Sequence, residues 1–175
     1  TTTDLSSQMI SIAKSVLDER INIQQADAEQ LPFKDGQFDR VFANLNLMIV
    51  PRAQRALHEA ARVLQPDGIG VWTVWGRKEH SPLMTLFSEA AAAVGIQLSA
   101  PLRSNFHLNS KTRLKEMLTK AGFNRVQLWY QPMVSPYEDA QSFTEDAMLT
   151  RPEIEELDAP TLKLLRDELL SRAAA

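Results

Sequence analysis

Along the chain, apolar residues at helical spacing alternate with short β-branched runs, and that alternation predicts an α/β layered domain built around one core. Thr1 to Leu5 reads as the tail of a strand, and Ser6 or Ser7 then caps a helix whose apolar face is Met9, Ala13, Val16 and Leu17. Ile21 to Gln25 follows as a second strand. After Pro32 and the Lys34-Asp35-Gly36 turn, Phe38 to Ala43 reads as a buried strand. A helix from about Pro51 carries Leu57, Ala60, Ala61 and Leu64 on one face, and the Pro66-Asp67-Gly68 turn stops it. Ile69 to Trp75 is the most strand-like run, and Ser81-Pro82 opens a helix striped with Met84, Phe87, Ala91 and Val94 and closed by Gly95. Asn109 or Ser110 caps a further helix bearing Leu114, Met117, Leu118 and Ala121; Gly122 ends it, and Val126 to Tyr130 reads as a late strand.

Beyond Met133 the period-two signal disappears. Pro136, Pro152 and Pro160 break the remainder into two helices, the last with Leu162, Leu165 and Leu169 in register. The expected organisation is an α/β domain over residues 1–134 and a helical tail over 135–175 that serves as a lid, a dimer contact or a docking arm. Apart from Ala173 to Ala175 there is no low-complexity segment, and no internal repeat.

Composition narrows the function classes. Of 175 residues, 44% are hydrophobic and 23% charged, which is ordinary for a globular domain. The net charge is -3, and the basic residues are scattered among acidic ones, so the footprint of a nucleic-acid-binding surface is missing. With no cysteine and with His58, His80 and His107 lacking ligand spacing, no metal is expected. No apolar run reaches the roughly 18 residues that suggest a membrane span, and the start has no basic and apolar leader. A cytoplasmic location is the expectation, with an organelle lumen after transit-peptide cleavage left open.

Four segments add chemistry: Asp4-Leu5-Ser6 with Met9, Asp27-Ala28-Glu29 with Leu31-Pro32-Phe33, Phe38-Asp39, and Arg62-Val63-Leu64-Gln65-Pro66. In order and spacing they resemble the class I S-adenosylmethionine-dependent methyltransferases of the small-molecule type. The likeness runs from Thr1 to about Tyr130 and includes Ala121-Gly122-Phe123. It implies a Rossmann-like, mostly parallel sheet flanked by helices, with S-adenosylmethionine as cofactor. It also implies that Asp4 accepts hydrogen bonds from both ribose hydroxyls, beside Leu5 and Met9, where a carboxylate makes two charge-assisted bonds to a vicinal diol. Asp27 with Ala28 and Glu29 would meet the adenine, and Asn44 and Leu45 would line the methyl-donor pocket at the carboxyl edge of the sheet. Read without the resemblance, Asp4 is a helix N-cap and Asp27 a solvated turn carboxylate. Substrate-pocket candidates are Asn46, Trp75, His107 and Tyr130; as ordinary residues, Trp75 and Tyr130 are core aromatics with a wet tip and His107 a surface loop residue.

Three departures from the family pattern accompany it. Met48 and Ile49 stand where many relatives carry a histidine, so a base at that position is vacant. Asp67 replaces a turn glycine, a substitution that aspartate tolerates. The third is the strand and glycine-rich loop that relatives carry ahead of the segment starting at Thr1; here the six glycines form no cluster. In this fold that strand lies between those expected at Thr1–Leu5 and Phe38–Ala43, so two inner edges would stay unpaired. An omitted start, a strand donated by another chain or dimer partner, and a degenerate relative kept as a scaffold are the three explanations.

The expected function is therefore methyl transfer to a small-molecule acceptor by in-line displacement. Its rate would come from holding the methyl about 3 Å from the nucleophile and excluding water, so no triad or metal is required. The alternative is a non-catalytic methyltransferase-like assembly subunit. A nicotinamide-dependent oxidoreductase is a third reading, which the Asp27 loop and the Arg62 to Pro66 motif fit less well.

Overall fold

The computed structural model describes residues 1–98, 104–149 and 151–174. Four strands and six α-helices run in the order β1 (Thr2–Asp4), α1 (Ser7–Val16), β2 (Ile23–Gln25), β3 (Phe38–Ala43), α2 (Ala53–Val63), β4 (Leu64–Trp72), α3 (Pro82–Ala93), α4 (Lys111–Lys120), α5 (Ala140–Leu149) and α6 (Ala159–Ala173). β1 pairs with β2 and β3 with β4, both in parallel, as two separate ladders. Parallel pairing requires a crossover, and α1 and α2 supply the two crossovers. This is the α/β architecture that the alternating pattern predicts, and its Rossmann-like parallel pairing is what the family resemblance implies.

The chain divides into two compact units: Thr1–Trp75 with Asn105–Trp129, and Gly76–Ser104 with Tyr130–Ala175. The first holds all four strands with α1, α2 and α4. Its core gathers Leu47, Met48, Val50, Ala53, Ala56 and Leu57 with Leu108, Leu118 and Ala121. Leu57 and Ala60 of the predicted face of α2 are buried and Ala61 is half-buried, while Leu64, also expected on that face, is the first residue of β4. The second unit is helical, and α6 packs on both α3 and α5. Phe87, Ala90 and Ala91 of α3 form one core with Phe143, Met148, Leu165 and Leu169, so the helices after residue 135 share their interior with α3.

Local chemistry sets the helix boundaries. Ser6 caps α1 by accepting the Met9 N–H at 3.3 Å, and Ser110 caps α4 by accepting the Arg113 N–H at 3.4 Å. Asp158 caps α6 through the Thr161 N–H at 2.8 Å. Gly122 follows α4 with φ 106°, the left-handed position at which glycine replaces a strained side chain.

Three expectations are corrected. The buried residue of α1 is Ile10, while Met9, Val16 and Leu17 are exposed, so the helix is rotated from the face its period suggests. The Pro66-Asp67-Gly68 turn does not separate helix from strand. Leu64 already pairs with Phe38, and the ladder then jumps to Arg40 opposite Ile69, making the turn a bulge inside β4 with Asp67 at φ 64°. The Val126 to Tyr130 segment keeps alternating burial, with Val126 and Leu128 against the core, but joins no ladder among the described residues.

β4 passes close under an aromatic pair. Trp72 and Phe123 meet edge to face with centroids 5.1 Å apart, and a Cβ on Gly70 would lie 2.2 Å from the Trp72 ring. Gly70→Ala is therefore expected to destabilise the protein by about 1–3 kcal/mol through overpacking. Urea denaturation measures it, and a loss under about 0.5 kcal/mol would mean that the indole moves aside freely.

Candidate functional site

The carboxyl ends of β1 and β2 lie side by side. Asp4 ends β1 opposite Gln25, and the ladder continues one step further as Ala26 N–H donates to the Asp4 carbonyl at 3.0 Å. Asp27 is the next residue, so both carboxylates of the sequence motif stand at one edge. The Gln25 amide ties the two loops together by donating to the Leu5 carbonyl at 2.7 Å.

Each aspartate uses one oxygen on its own turn. Asp4 Oδ1 accepts the Ser6 N–H at 2.8 Å, and Asp27 Oδ1 accepts the Glu29 N–H at 2.8 Å. Asp4 is thus not the cap of α1, a role Ser6 takes. The second oxygen of each has no hydrogen-bond partner among the described residues, and both residues are exposed. Leu5 and Met9 are exposed beside them, and Ala28 packs partly into the core. Glu29 differs: it is 3% exposed, and its two oxygens take the Arg52 N–H at 2.8 Å and the Arg52 guanidinium. Its carboxylate is spent inside the fold.

At the end of β3 the backbone is strained. Leu45 has φ 47°, a left-handed conformation that costs a leucine about 1–2 kcal/mol. Its N–H donates to the Thr73 carbonyl at 3.1 Å and the Thr73 hydroxyl at 2.9 Å, while that hydroxyl donates to Asn44 Oδ1 at 2.5 Å. These bonds to the segment after β4 hold the outlier, and such held strain gathers at functional sites. Asn46 is half-buried just beyond. Met48 is buried in the core and Ile49 exposed, so the position of the family histidine is a packing residue and a surface residue.

Of the substrate candidates, Asn46, Trp75 and His107 belong to the first unit and Tyr130 to the second. Trp75 packs against the first core together with Leu45. His107 precedes the buried Leu108, and its carbonyl accepts from Arg113 at 3.4 Å. Tyr130 is exposed, with the Arg77 guanidinium 5.5 Å from its ring centre.

Sequence reasoning missed the groups that hold the Asp27 loop. Arg62 donates to the Leu31 carbonyl at 3.0 Å, the Phe33 carbonyl at 2.7 Å and Asp35 at 2.7 Å, and Glu59 accepts the Leu31 N–H at 2.8 Å. Glu59 and Arg62 also pair with each other, at 2.8 Å. The Leu31-Pro32-Phe33 and Arg62 motifs are thus two halves of one contact. The signal available was the polar spacing of α2, which reads as a solvated face.

The Arg62 bond holds the Glu59 carboxyl below the usual glutamate range, against the smaller opposing effect of burial. A depressed folded-state value stabilises the protein above the unfolded value, about 4.3, and that stabilisation is lost as pH falls through the folded one. Acidification is therefore expected to weaken wild type more than Glu59→Gln. Denaturant midpoints of both proteins at neutral pH and at about pH 3.5 test this, and parallel losses would count against the linkage.

Residues 1–72 match the family model described as a methyltransferase domain. The ubiquinone/menaquinone biosynthesis C-methyltransferase UbiE of Nitrosospira multiformis is 33% identical over 138 residues, covering 71% of this chain and 57% of that protein. The demethylmenaquinone methyltransferase of Lactobacillus johnsonii is 34% identical over 122 residues, covering 63% and 49%. Among solved structures, a SAM-dependent methyltransferase of Thermotoga maritima aligns with TM-score 0.51 at 24% identity, over 70% of this chain and 54% of that one. The cyclase SpnF aligns with TM-score 0.53 at 22% identity, over 97% and 59%. The chain is thus similar, over the part matched, to S-adenosylmethionine-dependent methyltransferases of class I. It spans about half the length of these curated relatives.

Proposed function

We propose that this protein transfers a methyl group from S-adenosylmethionine to a small-molecule acceptor. The observation that carries the reading is the pair Asp4 and Asp27, which end adjacent parallel strands at one edge and each keep one carboxylate oxygen uncommitted. The donor set fits the group, because the ribose diol and the adenine amine both present hydrogen-bond donors and the site presents two acceptors.

When bound, S-adenosylmethionine supplies an electrophilic methyl on sulfur. Asp4 holds the ribose hydroxyls and Asp27 the adenine amine, with Leu5, Met9 and Ala28 as apolar surroundings. Asn44 and the strained Leu45 shape the far end of the cleft, while Asn46, Trp75 and His107, all of the first unit, are the residues we assign to the acceptor. The bound cofactor would supply its methyl to the acceptor atom, and Met48 and Ile49 offer no base for a proton that a carbon acceptor would release.

The relatives named for quinone biosynthesis favour a quinone-type ring as acceptor. No helix among the described residues is long and apolar enough to cross a membrane. A cytoplasmic location is part of the same proposal. Calorimetric titration of S-adenosylhomocysteine into the intact protein tests the reading. Micromolar or tighter binding is expected; no binding at millimolar ligand would overturn it and leave the scaffold reading.

A further inference from the structure

Helix α2 has two differently used faces. Ala53, Ala56, Leu57, Ala60 and Val63 are buried in the first unit, so the helix is fixed by its apolar side. On the other side, Arg52 at the N-cap, Arg55, Glu59 and Arg62 follow one another at intervals of three, four and three residues, which aligns them along one face.

Every member of this stripe grips the segment between Glu29 and Asp35. Arg52 binds the buried Glu29 carboxylate through its N–H and its guanidinium, and Arg55 Nε donates to the Glu29 carbonyl at 2.9 Å. Glu59 and Arg62 take Leu31, Phe33 and Asp35 through the bonds given above. A loop of this kind is ordinarily among the softer parts of a fold. Here its backbone is tied to a rigid helix at Glu29, Leu31 and Phe33, and the Asp35 side chain adds a fourth tie.

The last tie leads to the site. Glu29, held by Arg52 and Arg55, donates its own N–H to Asp27 Oδ1 at 2.8 Å. That bond fixes the rotation of the carboxylate and therefore the direction of its uncommitted oxygen. We propose that the polar face of α2 is a splint that aims Asp27, making Glu29 and Arg62 positioning residues for recognition of the cofactor's six-amino purine. This inference rests on the reading of Asp27 given under Proposed function.

The test separates aim from folding by using two ligands. S-adenosylhomocysteine offers an amine to Asp27, whereas S-inosylhomocysteine presents a carbonyl at the same place and repels a carboxylate. Partial unfolding lowers affinity for both equally, so the ratio of the two affinities reports only the aim. Wild type is expected to prefer the adenine ligand by at least about tenfold, the value of one charge-assisted hydrogen bond. Glu29→Gln and Arg62→Met are each expected to reduce that preference several-fold, chiefly by weakening the adenine ligand. Asp27→Asn is measured beside them. If Asp27→Asn erases the preference while the two splint variants keep it, the positioning role is wrong and the adenine role of Asp27 stands. If Asp27→Asn keeps the preference, or wild type shows none, the adenine assignment fails and the inference falls with it.

Discussion

Phe87→Ala is expected to lower the unfolding free energy by about 3–5 kcal/mol. The side chain is 2% exposed on α3 and packs in the core that α5 and α6 complete, with the Arg151 guanidinium 4.7 Å from its ring centre. Truncation removes the transfer energy of the ring and leaves a cavity that three helices can close only partly. Against a total stability of about 5–15 kcal/mol, such a loss is a large fraction of what holds a domain together. Circular dichroism followed through urea denaturation reads it, because α3, α5 and α6 supply much of the helical signal. A cost under about 0.5 kcal/mol would mean that the second core is loosely packed.

Replacing Asp4 or Asp27 by alanine is expected to weaken S-adenosylhomocysteine binding by about ten- to a hundredfold, the loss of one or two hydrogen bonds to a charged acceptor. The larger effect belongs to Asp4, which faces a diol. Alanine also removes the bond from Ser6 N–H, so Asp4→Asn, which preserves an acceptor for it, isolates the charge. Calorimetry with the three variants and wild type decides the matter. Wild-type affinity in both alanine variants would place the cofactor elsewhere.

Elements whose partners are near in sequence were legible before the structure. β3 occupies the predicted span Phe38 to Ala43, but the buried strand expected there is not found, since none of its residues is buried and Phe42 is exposed. The caps at Ser6 and Ser110 follow from local chemistry. Errors arose where pairing decides. Pro66-Asp67-Gly68 has the composition of a stop, yet the bond between Leu64 and Phe38 starts a ladder ahead of it. Val126 to Tyr130 has the alternation of a strand but no neighbour to pair with among the described residues, and alternation alone does not make a ladder. For α1, several apolar residues compete for burial, and contact chooses Ile10 over Met9.

The site divides in the same way. Asp4 and Asp27 are singled out by the resemblance to methyltransferases and not by hydropathy, since Thr1-Thr2-Thr3 and Gln24-Gln25-Ala26 precede them, and the structure puts both at one strand edge. The resemblance groups Glu29 with Asp27 and Ala28 at the adenine, and nothing local shows that its carboxylate turns inward to Arg52, twenty-three residues away. Arg62 was visible as part of a motif, but its reach to Leu31 and Phe33 spans about thirty residues that carry no local trace of the contact. The likeness to SpnF also marks a boundary, since one fold accommodates a cyclase and methyltransferases, and chemistry must be argued from side chains.

The division into two units sorts the chromophores. Trp72, Trp75 and Trp129 all lie in the first unit, and both tyrosines, Tyr130 and Tyr137, lie in the second. Excitation at the red edge of the indole band, where phenol does not absorb, therefore lights up only the strand-bearing unit. One unlabelled sample thus carries an optical reporter confined to that unit, and a ligand-induced or denaturant-induced change in its emission is assigned there.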